Sequence, residues 1–148
     1  MKVHFIIGVA LLILLTTITI NQKIIITKLQ KSKKKKEAQE KKAKISPKIK
    51  AILAKYKVKG SLAVRNHMTL CLNLKSGSID FGTDRINEYW YKDHFADNPK
   101  ALAFLSEVIP AMNIGNFDKS DVQTDYFHVG WYMSVNLGKW DKPYILNN

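Results

Sequence analysis

From Phe5 to Ile20 the chain reads FIIGVALLILLTTITI, sixteen residues without a charge, and soon afterwards Leu29 to Lys44 reads LQKSKKKKEAQEKKAK. A bilayer core needs about 20 apolar helical residues, with a lower limit of about 17. Counting from Val3, or letting Lys23 reach back to the interface, brings the first run into that range. Thr16, Thr17 and Thr19 weaken it only slightly, because their hydroxyls can bond back to the helix. A Met-Lys start before an apolar run also fits a secretory signal peptide. Against cleavage, the apolar core exceeds the usual signal length, and its exit, T-I-N-Q-K, lacks a small-residue pair of the A-x-A kind. Residues 1–27 are therefore read as a single-pass anchor. A secreted or periplasmic protein with a cleaved signal, a small hydrolase for example, is the alternative.

Charge sets the expected orientation. Lys2 and His4 flank the run on one side, while ten lysines lie between Lys23 and Lys44 on the other. The positive-inside bias keeps such a flank in the cytoplasm, so the expectation is N-out and C-in at the inner (cytoplasmic) membrane. Export is the alternative localisation. Residues 28–45 then read as a Lys-rich helical stalk. Its pairs Glu37/Lys41 and Glu40/Lys44 have the favourable i,i+4 order. Lys31, Lys33, Lys34, Lys35, Lys36, Lys41, Lys42 and Lys44 would face anionic lipid headgroups, at about 1 kcal/mol for each lysine near the surface. Two other readings stay open: a solvated stalk that only obeys the topology rule, and a stalk that holds nucleic acid near the membrane.

The formal charge of +12 is not shared evenly. Residues 1–59 hold 16 lysines and two acids, whereas residues 60–148 hold six lysines, two arginines and ten acids. A nucleic-acid role, if any, thus belongs to the stalk. Lysine outnumbers arginine 22 to 2, which suits diffuse attraction better than bidentate readout. With Cys71 as the single cysteine, neither an intrachain disulfide nor a Cys-cluster zinc site can form.

Residues 46–148 read as one small α+β domain, an antiparallel sheet with two helices. Ser46-Pro47 looks like a helix start, with Ile49, Ile52, Leu53 and Tyr56 on one face. Leu62 and Val64, then Met68, Leu70, Leu72 and Leu74, alternate as two strands about an Asn66-His67 turn. Ser76-Gly77 suggests a second turn before Ile79 and Phe81, where a third strand would lie. Asp97 and Pro99 open a helix bearing Leu102, Leu105, Val108, Ile109 and Met112, which Pro110 should kink or end. Last, Phe127, Val129, Trp131, Met133, Val135 and Leu137 alternate with polar or small residues as a half-buried strand.

The stretches VRNHMTLCLNLKSGSIDF and SDVQTDYFHVGWYMSVNLGKWDKPY resemble small uncharacterised domains of phages and other mobile elements. They are loosely similar to a large polyvalent protein-associated domain, over roughly residues 46–144. That resemblance implies a binding accessory and supplies no active-site residues. The W-x-D-G-P stretch of that domain is replaced here by Leu74–Ser78.

Three groups could carry chemistry. Asp118, Asp121, Asp125 and His128 have donor types suited to a divalent metal. Their spacing would align them only on a helix, so a turn cluster before a strand is the preferred reading and no metal is assigned. Cys71 with His67 or His94 could make a nucleophile and base, but a thiol in mid-strand has no helix terminus to activate it. Tyr89, Trp90, Tyr91, His94 and Phe95 could grip a protein partner or stack bases, with ordinary packing as the plain alternative. No Walker loop, dinucleotide-binding turn or G-x-S-x-G occurs. The expectation is a membrane-anchored, non-enzymatic module that binds a protein partner and needs no cofactor.

Overall fold

The structure, a computed structural model, describes residues 2–139 and 141–147. It divides into two compact units, one ending at Glu37 and one running from Ala38. Helix α1 (Lys2–Lys55) supplies the first unit and opens the second, and Pro47 lies inside it. In the first unit Leu11 to Leu15, Ile18, Ile20 and Ile24 to Ile26 are all exposed. The Thr16, Thr17 and Thr19 hydroxyls donate to the Ile13, Leu14 and Thr16 carbonyls at 2.8, 2.7 and 2.8 Å. Helix α1 is long and apolar enough to cross a membrane, a property that a signal sequence shares.

In the second unit α1 becomes amphipathic. Ala38, Ile45, Ile49, Ile52 and Leu53 are buried along one stripe, at the spacing of a core-facing helix. The folded unit thus takes in Ala38 to Ile45, which the sequence assigned to the stalk. Nor does Ser46-Pro47 start a helix: Pro47 is exposed, and apolar contacts on both sides of it hold α1 together despite the missing N–H.

The chain then forms β1 (Val58–Arg65), β2 (Thr69–Gly77), β3 (Arg85–Ile86), the short α2 (Tyr91–His94), α3 (Pro99–Met112), β4 (Tyr132–Leu137) and β5 (Ile145–Leu146). The β1–β2 hairpin turns at Asn66 and His67, both left-handed with φ of 51° and 61°. Met68 N–H closes it on the Arg65 carbonyl at 3.2 Å.

The sheet order is β1-β2-β4-β3, with β5 also on β2. It is mixed, not antiparallel. β4 and β5 both pair with β2 in parallel, matching Leu70, Leu72 and Leu74 to Met133, Val135 and Leu137. The reason is the crossover through α3, which carries the chain back before β4 begins. β2 also runs on through Ser76-Gly77, where a turn was expected. Gly77 is needed there because a Cβ would meet the Val58 Cα at 3.0 Å. Ile79 and Phe81 are buried without joining a strand.

Leu70, Leu72 and Leu74 face a core shared with Ile49, Phe104, Leu105, Val108 and Met112. Tyr56 meets Phe104 edge-on, at 5.4 Å between centroids, so the end of α1 and helix α3 cover the same sheet face. The N-cap of α3 is Asn98, whose side chain accepts from Ala101 N–H at 3.1 Å, rather than Asp97. Pro110 does not end α3, because the residue lies in the last turn, where one lost hydrogen bond matters least. On the opposite sheet face the side chains are small or polar, and Asn136 Nδ2 donates to Asn73 Oδ1 at 3.0 Å.

Candidate functional site

Between α3 and β4 the chain makes an excursion whose last four residues, Phe127 to Gly130, the sequence presented as the start of a strand. Residues 117–130 double back as a narrow ribbon. Gly130 N–H donates to the Phe117 carbonyl at 2.8 Å, Lys119 N–H to His128 at 2.8 Å and Asp121 N–H to Tyr126 at 2.7 Å. A 3-10 turn at Val122–Thr124 and left-handed Asp125 (φ 51°) form the tip. The alternation that begins at Phe127 is therefore a core pattern only from Trp131 onward. Trp131 and Val135 are buried, whereas Phe127 is 66% exposed.

The base of the ribbon is built on Asn116. Its Oδ1 accepts from Phe117 N–H at 3.0 Å and Trp131 N–H at 2.9 Å, and its Nδ2 donates to the Trp131 carbonyl and to Asn113 Oδ1, both at 2.9 Å. A Cβ on Gly130 would come within 2.6 Å of that Oδ1, so the close approach requires glycine. Lys41 completes the joint, donating to the Gly130 carbonyl at 3.1 Å with its ammonium 5.2 Å from the Trp131 ring centre. Trp131 Nε1 donates to the Met112 carbonyl at 3.2 Å.

Above this joint lies a cleft of about 180 Å3 whose walls include Tyr89, Phe117, Val129 and Tyr132, with Asn113 and Asn116 among its polar groups. Tyr89, Phe117 and Tyr132 are exposed. Asn87 sets the Tyr89 wall, since its Oδ1 accepts from Tyr89 N–H at 3.0 Å and Trp90 N–H at 3.3 Å. The five-residue aromatic group therefore splits. Tyr89 and Trp90 project into solvent and His94 is exposed, while Tyr91 and Phe95, four apart on one helical face, are buried. Phe95 packs edge-on against Phe81 at 6.2 Å. Phe117 and Tyr132 escaped the sequence reading. The one available signal was the Asn116/Gly130 pair, a polar hub and a residue without Cβ at the two ends of the ribbon.

Asp118, Asp121, Asp125 and His128 all lie on the ribbon without converging. Asp118 Oδ1 accepts from Ser120 N–H at 2.9 Å, and the hydrogen bonds from the Ser120 side chain and backbone hold its carboxyl below the usual carboxylate range. Asp121 accepts from Gln123 N–H and the Thr124 hydroxyl, both at 3.0 Å. His128 lies edge-on to Phe117 at 5.1 Å. Among the described residues no three His, Cys, Asp or Glu side chains converge as metal ligands. Cys71 is buried in β2, and its thiol's hydrogen-bond partner is the Thr69 carbonyl at 3.9 Å.

The eight stalk lysines also divide. Lys31, Lys33, Lys34, Lys35 and Lys36 are exposed in the first unit; Lys41, Lys42 and Lys44 belong to the second, with Lys41 engaged as above and only Lys44 fully exposed. No protein-family model matches this chain, and neither does any curated protein or solved structure.

Proposed function

We propose that this chain is a single-pass, membrane-anchored, non-enzymatic interaction module whose folded unit binds a protein partner in the cytoplasm. The aromatic cleft carries the reading. Exposed Tyr89, Phe117 and Tyr132 surround the Asn116 amide, which is fixed by backbone bonds, and the Asn113 amide bonded to it, a combination that favours protein recognition: rigid apolar rings, few ordering losses and some directional hydrogen bonding. For the anchor, the support is an exposed, uncharged stretch of α1 followed at once by lysines, which favours N-out, C-in. Lys31 and Lys33 to Lys36 would then lie near anionic headgroups. The mobile-element setting rests on the sequence resemblance alone.

Two measurements test the proposal. Reporters active in the cytoplasm or after export, fused in parallel after Asn148, should give the cytoplasmic signal; an exported signal would overturn the orientation. A photo-crosslinking residue at Tyr89 should trap a protein in cells, and the same probe at Lys100, which is exposed in α3, should not. If Tyr89 trapped nucleic acid, or trapped nothing in cells where the chain is functional, the protein-binding role would fail.

A further inference from the structure

A second recess lies on the polar face of the sheet, and its lining is unlike the rest of the domain. Residues 60–148 contain ten acids and eight bases. Yet the groove beside β2, about 530 Å3, is lined by Lys75, Lys139 and Lys142 and by no carboxylate. The topology explains how they meet. β2 pairs in parallel with β4 as far as Leu74↔Leu137 and then with β5 from Ser76↔Ile145, so Lys75 falls at the gap between its two partner strands. The chain leaving β4 loops out over that gap. Gly138 starts the loop with φ 66°, where a Cβ would lie 2.6 Å from the Lys142 carbonyl oxygen.

Lys139 and Lys142 then face each other across a tight turn, Lys139 N–H donating at 2.7 Å and Lys142 N–H at 3.1 Å to each other's carbonyls. Directly opposed residues in such a pair project to the same side, and like charges placed there repel. Asp141, in the turn itself, does not line the groove, and the one ion pair among the described residues is Lys55–Glu107. Neutral donors adjoin the lysines. Ser61 brings a hydroxyl, and Asn73, whose Oδ1 is taken by Asn136, keeps its amide N–H groups.

We propose that this groove is a binding site for a phosphate-bearing anion. Three lysines lining one groove that has no carboxylate in its own lining, beside a hydroxyl and an amide, suit a polyanion whose oxygens take several donors at once. The volume is that of a small-ligand site. A free phosphate compound and a lipid headgroup offer the same chemistry. The site shares no residue with the aromatic cleft and does not depend on its role.

The test uses the full chain in phosphatidylcholine nanodiscs, with lysine acetylation read residue by residue by mass spectrometry. Pyrophosphate should protect Lys75, Lys139 and Lys142 in a saturable way and leave exposed Lys92 and Lys100 reactive. Nanodiscs containing phosphatidic acid, without pyrophosphate, form the second arm. Protection in the first arm identifies a free phosphate source; protection in the second arm alone identifies a headgroup. Each Lys→Gln change should weaken binding about tenfold or more, and Lys→Arg should largely preserve it. Lys142→Gln should also raise the melting temperature without ligand, by relieving the opposed charges. No saturable protection in either arm, or protection unchanged in the Lys75→Gln/Lys139→Gln/Lys142→Gln protein, overturns the site.

Discussion

Helix α1 keeps one backbone conformation from Lys2 to Lys55 but carries two patterns of side-chain exposure. Up to Glu37 its leucines and isoleucines are exposed around the whole circumference; from Ala38 on, one stripe is buried and the other side stays charged. A helix apolar on every side needs an apolar surrounding, whereas a striped one needs only a sheet to lie on. Helix length therefore does not mark a domain boundary. The boundary lies where the pattern changes from all-round to one-sided, at Ala38, and not at the Ser46-Pro47 pair that looks like a start.

Removing the same kind of side chain from each stretch should give different results. Ile49 is 1% exposed, and Ile49→Ala should cost the folded unit about 2–4 kcal/mol by leaving a cavity, read by urea unfolding. Leu14, 56% exposed, should leave that unfolding curve unchanged when replaced by Ala. Leu14→Asp should instead oppose membrane insertion by about 3 kcal/mol, read as the inserted fraction in a translocation assay. If Leu14→Ala destabilised the folded unit as much as Ile49→Ala, the division of α1 at Ala38 would be wrong.

A second contrast concerns the joint under the aromatic cleft. Gly130→Ala should lose about 1–3 kcal/mol, because the new methyl must displace the Asn116 amide that holds Phe117 and Trp131 in place. Lys41→Ala should lose about 1 kcal/mol through its carbonyl bond and its contact with the Trp131 ring. Lys34→Ala, at an exposed position, should stay within about 0.5 kcal/mol. Chemical denaturation of the three proteins under one buffer would rank them. Equal effects at Lys41 and Lys34 would mean that the Lys41 contacts with Gly130 and Trp131 add nothing to the stability of the joint.

Features decided by local chemistry were legible in the sequence. The stripe of α3, the Asn66-His67 turn and the inward face of β4 from Trp131 on follow from periodicity and turn preferences. What escaped depends on partners distant in sequence. Leu70-Cys71-Leu72 is buried throughout because β2 lies between β1 and β4, but nothing in the run states whether β4 arrives parallel. The alternation from Phe127 to Leu137 is continuous in sequence, yet Asn116 and Gly130 divide it into exposed ribbon and half-buried strand. Of the aromatic group, the i,i+4 spacing of Tyr91 and Phe95 could have marked them as core and left Tyr89 and Trp90 for the surface.

The two turn residues of the β1–β2 hairpin give a smaller prediction in the other direction. Asn tolerates a left-handed backbone and His does so less readily. His67→Gly should therefore stabilise the folded unit by about 0.5–1 kcal/mol, glycine's extra freedom in the unfolded chain cancelling part of the relief. Asn66→Gly should gain less. A shift in thermal midpoint of the same size for both would deny that the second position carries the strain.

The smallest effect tests whether the end of α1 is bound to α3 by charge as well as by packing. Glu107 accepts hydrogen bonds from Lys55 and from the Tyr56 hydroxyl, the latter at 2.7 Å. The Lys55 ammonium first, then the Tyr56 hydroxyl, hold the Glu107 carboxyl below its usual range. A carboxyl depressed on folding contributes stability above its unfolded pKa, about 4.3, and loses it as the pH falls through the lower folded value. The thermal midpoint should thus fall on acidification below about pH 4, and Glu107→Gln should flatten part of that fall while changing little at neutral pH, where solvent screens so exposed a pair. Lys55→Met should flatten the same limb, since the Lys55 bond is the largest cause of the depression. If neither variant altered the acid limb, α1 and α3 would be held together by Ile49, Ile52, Tyr56 and Phe104 alone.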